Sequence, residues 1–356
     1  MTDYNSAAAL RGLRFATAPQ GDAKTVSSCG LLMMASGEDD LIARYFRPLA
    51  TDPGALGLVD DAALLTSSGD DLVVTTDAIV EGVHFLAGDP PDTIARKALR
   101  VNLSDLAAKG AVPAGFVLTL VLRDVKEQWL APFARALGED AAAFNCPVLG
   151  GDTVSTPGPL MISITAFGRV PPGQMVRRTD AQPGDLIAVT GTIGDAAMGL
   201  QALKGKSDGL DPPARDFLIQ RYRVPQPRNA LAIAIRDHAS AAMDVSDGLA
   251  GDLTKLCAAS GVSAAVSLAD VPLSAAAQAL IADGSSSIEA AVSGGDDYEI
   301  LCTIPENRWE SFAATARQIG VQVSSIGRIE AAAAAPRFLD AAGQPVAFKR
   351  LSYSHF

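Results

Sequence analysis

The chain has 356 residues, more than one ordinary hydrophobic core would use, so two domains of roughly 130–190 residues are expected. A formal net charge of −11 and a pI near 4.8 exclude nucleic acid as the main partner, because neutralising a phosphate backbone needs clustered Lys and Arg. No apolar run reaches the roughly 18 residues of a membrane span, and three histidines (His84, His238, His355) and four scattered cysteines (Cys29, Cys146, Cys257, Cys302) supply neither a zinc site nor a disulfide framework.

The N-terminal stretch places Arg11, Arg14 and Lys24 before Leu31-Leu32-Met33-Met34-Ala35, an apolar run shorter than an export signal needs. The expectation is therefore a cytoplasmic protein with a disordered extension over residues 1–36. Leu41, Ile42, Tyr45, Phe46 and Leu49 fall at helical spacing, and Pro48 should end that helix. Strands are predicted over 62–65 and 72–76, separated by a Ser67-Ser68-Gly69-Asp70 turn. A helix over 92–109, a strand over 115–122, a helix over 126–144 and strands over 147–149 and 160–170 follow. Residues 171–185, PPGQMVRRTDAQPGD, are dense in proline and glycine and read as the domain boundary, giving an N-terminal domain over 37–170 and a C-terminal one over 171–356. The second half is predicted as strands 186–190, 242–245, 263–268, 298–304 and 321–329, with helices 195–204, 212–222, 227–238, 248–259, 274–283 and 306–319. Strands and helices mix without strict βαβ alternation, so the fold class is α+β, with two mixed α/β domains.

Carboxylates recur beside glycine or hydroxyl residues: Asp60-Asp61, Asp77, Asp152, Asp244, Asp247 and Asp296-Asp297, with Asp105 on a helix three residues after Asn102 and so on its face. A single such Asp is ordinarily a turn or N-cap residue. A set of them is different, since two carboxylates about 5 Å apart repel by about 3 kcal/mol at an effective dielectric near 20. Convergence would require cations. The donors are hard oxygens without His or Cys, which suits Mg²⁺ rather than Zn²⁺, and Mg²⁺ commonly completes its shell with phosphates. A nucleotide-phosphate site follows. Familiar nucleotide loops are missing: Gly199 to Ser207 imitates a P-loop but has five residues between its glycines and no strand before it, and reads as coincidence. Gly191-Thr192-Ile193-Gly194-Asp195 fits an anion-binding nest or a helix-capping turn equally well.

VDDAALL, TTDAIVEGVHF, VNLSDLAAKGA, LGGDT, RTDAQPGD, TGTIGDAAMGL, AMDVSDGLAGDL and SGGDDYEI occur in this order. Together they resemble the thiamine-monophosphate kinase family, within the superfamily of aminoimidazole ribonucleotide synthetase, from about residue 37 onward. The GGDT and DVSDGL elements belong to the wider superfamily, whereas TTDAIVEGVHF and VNLSDLAAKGA are specific to the kinase. The resemblance implies that architecture, and ATP-dependent phosphorylation of thiamine monophosphate by direct in-line transfer, with several Mg²⁺ ions. It implies metal ligands at Asp61, Thr75, Thr76, Asp77, Asp105, Asp152, Asp244 and Asp247. ATP contacts are implied at Gly151, Asp152, Arg178 and Ser246, and thiamine-phosphate contacts at His84, Asp296 and Tyr353. A guanidinium beside an acidic, metal-filled site meets phosphate well, which suits Arg178. No side-chain base is expected, because a phosphate monoester is already anionic. A homodimer paired through N-terminal-domain strands is also implied. Two departures stand out: GLVDD replaces GIGDD, and Asp296 stands where the family has Glu. Other branches fit less well: Cys29 lacks the setting of a selenophosphate synthetase, and the chain ends Ser354-His355-Phe356 where the hydrogenase-maturation branch ends in Cys. A catalytically silent nucleotide-binding regulator is the reading from outside enzymology, and the intact Asp positions weigh against it.

Overall fold

The computed structural model describes residues 40–58, 62–66, 68–206, 209–332 and 334–352. The expected disorder over 1–36, together with Asp60, Asp61 and Tyr353, lies outside the described residues.

The first domain is built on one four-stranded sheet, in the order β1-β4-β2-β3, from β1 (Asp71–Val80), β2 (Val112–Leu122), β3 (Val148–Ser155) and β4 (Met161–Val170). β4 pairs antiparallel with β1 and β2, and β2 pairs parallel with β3. In β4, every second residue is buried: Ile162, Ile164 and Ala166 enter the core. That period of two is what a sheet covered on one face requires. The cover is α1 (Pro91–Ala108) and α2 (Glu127–Ala143), with Leu41 and Phe46 of the preceding segment closing the core. That segment is helical as predicted but irregular, a π turn at Ile42–Phe46 running into a 3₁₀ turn at Arg47–Leu49. Pro48, which has no N–H to donate, accounts for the tightened end.

The second domain carries a six-stranded sheet, β10-β7-β9-β5-β8-β6, from β5 (Leu186–Thr190), β6 (Ala241–Asp244), β7 (Ser263–Ser267), β8 (Ile300–Ile304), β9 (Val323–Glu330) and β10 (Arg337–Leu339). Its helices are α3 (Asp195–Leu203), α4 (Pro212–Arg223), α5 (Ala232–His238), α6 (Leu249–Ser260), α7 (Ala275–Ala282), α8 (Ile288–Ser293) and α9 (Trp309–Ile319). Strands β5, β6 and β8 are buried on both faces: Ile187 and Val189 enter the core with α6, while Ala188 meets α5 and α9 on the other side. Continuous apolar runs such as LIAVT and ILCTI are what a doubly covered strand needs. The chain therefore folds into two mixed α/β domains, as the pattern predicted. α1 serves both cores. Leu99 and Leu103 pack in the first domain, whereas Ala107 and Ala108 at its end pack against Leu231, Ile235 and Ala242 of the second.

Several predicted elements change. Residues 62–65 form no ladder; the Leu64 N–H donates instead to the Gly54 carbonyl at 2.8 Å. The predicted strand 147–149 continues through the GGDT element to Ser155, so Asp152 sits inside a strand rather than in a loop. A Cβ at Gly151 would lie 2.0 Å from the Leu118 carbonyl, so this glycine keeps β2 and β3 in register. The predicted helices 227–238 and 306–319 each open with a 3₁₀ turn, at Asn229–Leu231 and Glu306–Arg308. The short α8 and β10 were not predicted; α8 starts where Ser287 Oγ accepts the Ala290 N–H at 3.1 Å. Among the described residues no helix is long and apolar enough to cross a membrane.

Leu103, fully buried in α1, tests the shared core. Leu103→Ala should lower the unfolding free energy by about 3 kcal/mol, whereas Ile233→Ala on the exposed side of α5 should change it by less than about 0.5 kcal/mol. Urea unfolding of both variants measures the difference.

Candidate active site

α1 anchors the middle of β1 through polar side chains. Asn102, fully buried, accepts the Asp77 N–H on Oδ1 at 3.1 Å and donates from Nδ2 to the Ala98 carbonyl. One turn on, Asp105 Oδ2 accepts from Thr75 Oγ1 at 2.5 Å. Asn102 and Asp105 share a helix face as their spacing predicted, and that face addresses the inward residues of β1. Asp244 closes β6 from the second domain and is buried, and Asp247 follows in the loop.

These carboxylates act on one another. Burial, then Asp105 and Asp247, push the Asp77 carboxyl up to about 6. Burial, followed by Asp105, raises Asp244 well above the carboxylate range, with Asp252 and Asp77 adding to it. Lys109 at the end of α1 donates to the Ala242 carbonyl at 2.7 Å; burial and then Arg178 lower its proton affinity, against the pull of Asp244 and Asp105. Thr75, Asp77, Asp105, Asp244 and Asp247 thus converge, with Arg178 in electrostatic reach of their edge. Lys255 donates to Asp247 and Asp252, and Asp252 holds the loop by accepting the Ser246 and Asp247 N–H groups at 3.0 and 2.9 Å.

Thr76 and Asp152 stand apart. Across the sheet, Asp77, Ile164, Leu118 and Gly151 form one row, and Ala78, Ser163, Thr119 and Asp152 the next. Ile164 and Leu118 are buried, so the row of Asp77 faces inward, and Asp152, one residue on, points to the opposite, exposed face. Three strand spacings of about 4.8 Å separate the two aspartates besides. Thr76 is exposed on that same outer face, where it accepts from Thr165 Oγ1 at 3.0 Å. Among the described residues no three His, Cys, Asp or Glu side chains stand close enough to hold one ion by themselves.

The SGGDDYE segment lies against the DVSDG loop. The Asp296 N–H donates to the Ser246 carbonyl and the Tyr298 N–H to that of Val245, both at 2.8 Å. A Cβ at Gly295 would meet the Ser246 carbonyl at 2.4 Å, so glycine is required for this approach. Asp296 and Tyr298 both hold positive φ, 74° and 49°, a strained pair of the kind that collects at functional sites. Next in line, Asp297 is buried and accepts the Gly194 and Ala196 N–H groups at 2.7 and 3.2 Å. The glycine turn before α3 is therefore a cap satisfied by a protein carboxylate, which decides between the two sequence readings.

A cleft of about 640 Å³ runs between the domains, lined by Asp77, Ser246, Asp247, His84, Tyr222 and Asp296. His84 Nδ1 accepts the Val80 N–H at 3.0 Å, so in the neutral ring Nε2 carries the proton. Lys204, Lys206 and Arg350 line the same cleft. The false P-loop therefore contributes two cations through its position after α3. Sequence reasoning missed Tyr298, whose phenol is buried and raised well above its usual range by burial, Asp296, Asp77 and Asp244. It also missed Lys97 and Tyr222. Both lie inside predicted helices, where nothing in the local pattern marks them. A second, mostly apolar pocket of about 250 Å³ lies beside Leu149, Gly151 and Asp152, walled by Ile42, Phe46 and Leu58.

The family described as AIR synthase related protein, N-terminal domain, matches residues 59–170, and its C-terminal domain matches residues 182–335. A thiamine-monophosphate kinase of Caulobacter vibrioides is 48% identical over 298 residues, covering 82% of this chain and 83% of that protein. The crystal structure of a thiamine-monophosphate kinase from Stenotrophomonas maltophilia superposes with a TM-score of 0.76 at 37% identity, covering 86% of this chain and 96% of that one. A structure described as AaThiL complexed with AMPPCP and TMP gives a TM-score of 0.71 at 31% identity, covering 83% and 91%. Both domain matches and these relatives agree with the buried aspartate cluster and the cleft beside it, and the chain belongs to the thiamine-monophosphate kinases of the AIR synthase related family.

Proposed function

We propose that this protein transfers the terminal phosphate of ATP to thiamine monophosphate in the cleft between its domains, giving thiamine diphosphate and ADP. The observation that carries the reading is the cleft itself, which brings the carboxylates of Asp77 and Asp247 together with His84, Tyr222 and Asp296. The relative complexed with AMPPCP and TMP supports the same pair of substrates.

Mg²⁺ fits the donor set. Asp77, Asp105, Asp244 and Asp247 offer hard oxygens, and burial followed by mutual repulsion raises the proton affinity of Asp77 and Asp244, a cost that a bound cation would offset. Mg²⁺ takes one or two protein carboxylates with water and substrate phosphate, so a cage of three protein ligands is not required. When bound, it would neutralise the phosphates of donor and acceptor together. Asp61 belongs to the same reading as a further ligand, and Thr75 acts by fixing Asp105.

For the nucleotide, the pocket beside Gly151 and Asp152 offers Ile42, Phe46 and Leu58 to a purine ring. Ser246 and Arg178 are read as phosphate contacts at the interdomain cleft, where Ser246 lines the wall and Arg178 is in electrostatic reach of the acidic cluster. His84 and Asp296 address thiamine monophosphate, with Tyr353 completing that contact. Phosphoryl transfer depends on alignment and charge neutralisation more than on covalent help from the protein. The acceptor phosphate is already anionic, and His84 presents a donor rather than a base, so the transfer is direct and in line. The buried Cys146, Cys257 and Cys302 are free thiols, which suits a reducing cytoplasm.

The outer face of the first sheet exposes Leu72, Val74, Val112 and Val154, with Val74 55% accessible. An apolar sheet face of this kind calls for a cover. We read it as the seat of a second copy of the chain, in a homodimer paired through these strands.

Three outcomes test this subsection. Asp77→Asn should abolish ADP formation with thiamine monophosphate yet raise the stability of the metal-free protein at neutral pH by about 1–3 kcal/mol, because it removes one repelling charge; calorimetry and a coupled assay read both, and normal turnover would remove Asp77 from the machinery. Incubation with γ-labelled ATP and no acceptor should leave no label on the protein, and a labelled intermediate able to phosphorylate thiamine monophosphate would overturn direct transfer. Val74→Glu should shift the protein from dimer to monomer in sedimentation velocity; an unchanged dimer would place the interface elsewhere.

A further inference from the structure

Lys97 lies in the middle of α1 and is 1% exposed, yet its Nζ meets three groups from three other segments. It donates to the His84 carbonyl at 2.8 Å and to Asp296 Oδ2 at 3.1 Å, and it stands 3.8 Å from the centroid of the Tyr222 ring. The Tyr222 hydroxyl donates to the same His84 carbonyl at 3.1 Å. His84, Tyr222 and Asp296 all line the large cleft. One buried ammonium thus sits behind the part of the cleft lining formed by His84, Tyr222 and Asp296, tied to each of the three.

A lysine offers three donors and no acceptor, and a buried one needs a full set of partners. Here a carboxylate, a carbonyl and an aromatic face supply them, an arrangement that fixes their relative positions. Asp296 needs such fixing. Its backbone holds positive φ, and its side chain is one methylene shorter than the glutamate expected there. Lys97 holds its carboxylate, and the Tyr298 phenol lies within electrostatic reach of it. The His84 loop is held in the same way by its carbonyl and by the Val80 N–H on its ring.

We infer that Lys97 is a positioning residue for the acceptor: acting through Asp296 and the His84 loop, it sets the shape and charge of the wall that receives thiamine monophosphate. It does not touch the nucleotide pocket beside Gly151, whose walls come from other segments. The inference rests on the thiamine-monophosphate reading of the cleft. Wild-type protein that made no ADP in response to thiamine monophosphate would sink that reading before any variant was compared.

The test is steady-state kinetics of Lys97→Met, which keeps the length of the side chain and removes its charge, alongside His84→Ala and Asp296→Asn. The KM for thiamine monophosphate should rise by about tenfold or more in Lys97→Met, the size of one lost charge-assisted hydrogen bond, while the KM for ATP stays within about twofold. Because Lys97 acts through Asp296, the double variant Lys97→Met/Asp296→Asn should be no worse for thiamine monophosphate than the more impaired single variant. His84→Ala should share the acceptor-selective defect. Should Lys97→Met fail to fold, Lys97→Gln, which keeps a donor for the His84 carbonyl, carries the same comparison. Equal rises in both KM values, an unchanged KM for thiamine monophosphate in a folded variant, or additive effects in the double variant would each overturn the inference and leave Lys97 as a domain staple.

Discussion

Negative charge held out of water is the constraint around which this molecule is arranged. Asp77, Asp105, Asp244 and Asp247 come from two strands, a helix and a loop in two domains; Asp105 and Asp247 raise the proton affinity of Asp77, and Asp105 and Asp77 that of Asp244. Left alone, such a set pushes the domains apart, since each close pair costs about 3 kcal/mol at an effective dielectric near 20. The surrounding structure must supply that energy from packing, chiefly through α1 and β6, since β1 is exposed along its outer face. A site that is unfavourable when empty is favourable for a cation that brings anionic phosphates with it. Binding energy and the cost of preorganisation are two sides of the same charge cluster.

α1 is the element that makes the arrangement possible. It packs in both hydrophobic cores, and its polar residues are spent along one line of contacts: Lys97 to the His84 and Asp296 wall, Asn102 to the backbone of Asp77, Asp105 to Thr75, Lys109 to the end of β6. A helix 18 residues long spans about 27 Å at 1.5 Å per residue, so these contacts are distributed along the whole cleft. Two further buried networks stiffen the second domain itself. Glu299 receives Arg221, Arg228 and Thr190, and Asp195 receives Thr192 and Ser274. Removing one partner from such a network leaves a charge without solvent, so these residues constrain the site without touching it.

Much of this was legible in the residues. The apolar periodicity of α1, the double-faced runs of β5 and β8 and the proline-rich stretch after β4 all follow from local chemistry, and they gave the two-domain α+β arrangement. What the sequence could not reveal was pairing. GGDT reads as a loop because of its glycines, yet Gly151 is there to let β3 approach β2, so Asp152 lies in a strand. Lys97 reads as an ordinary helix-surface lysine until the second domain closes over it. The glycine turn before α3 looks like an empty anion nest because Asp297, which fills it, lies more than 100 residues away along the chain. Each miss is a long-range contact, invisible to periodicity.

The same pairing divides the residues assigned to the metal. Thr75, Thr76 and Asp77 are consecutive in β1, and a strand turns successive side chains to opposite faces. Thr75 and Asp77 therefore enter the cleft while Thr76 joins Asp152 on the outer face of the sheet. Within one chain no rotation of side chains brings Asp152 to Asp77, because the sheet itself lies between them. The exposed valines around Thr76 and Asp152 supply the complementary fact: that face is apolar enough to seek a cover. In the homodimer we propose, Thr76 on β1 and Asp152 on β3, on the two edge strands of the sheet, would both lie on the covered face and gain partners there. The polar outer pair and the apolar patch are then consequences of one requirement, that the sheet serve a ligand site on both of its sides.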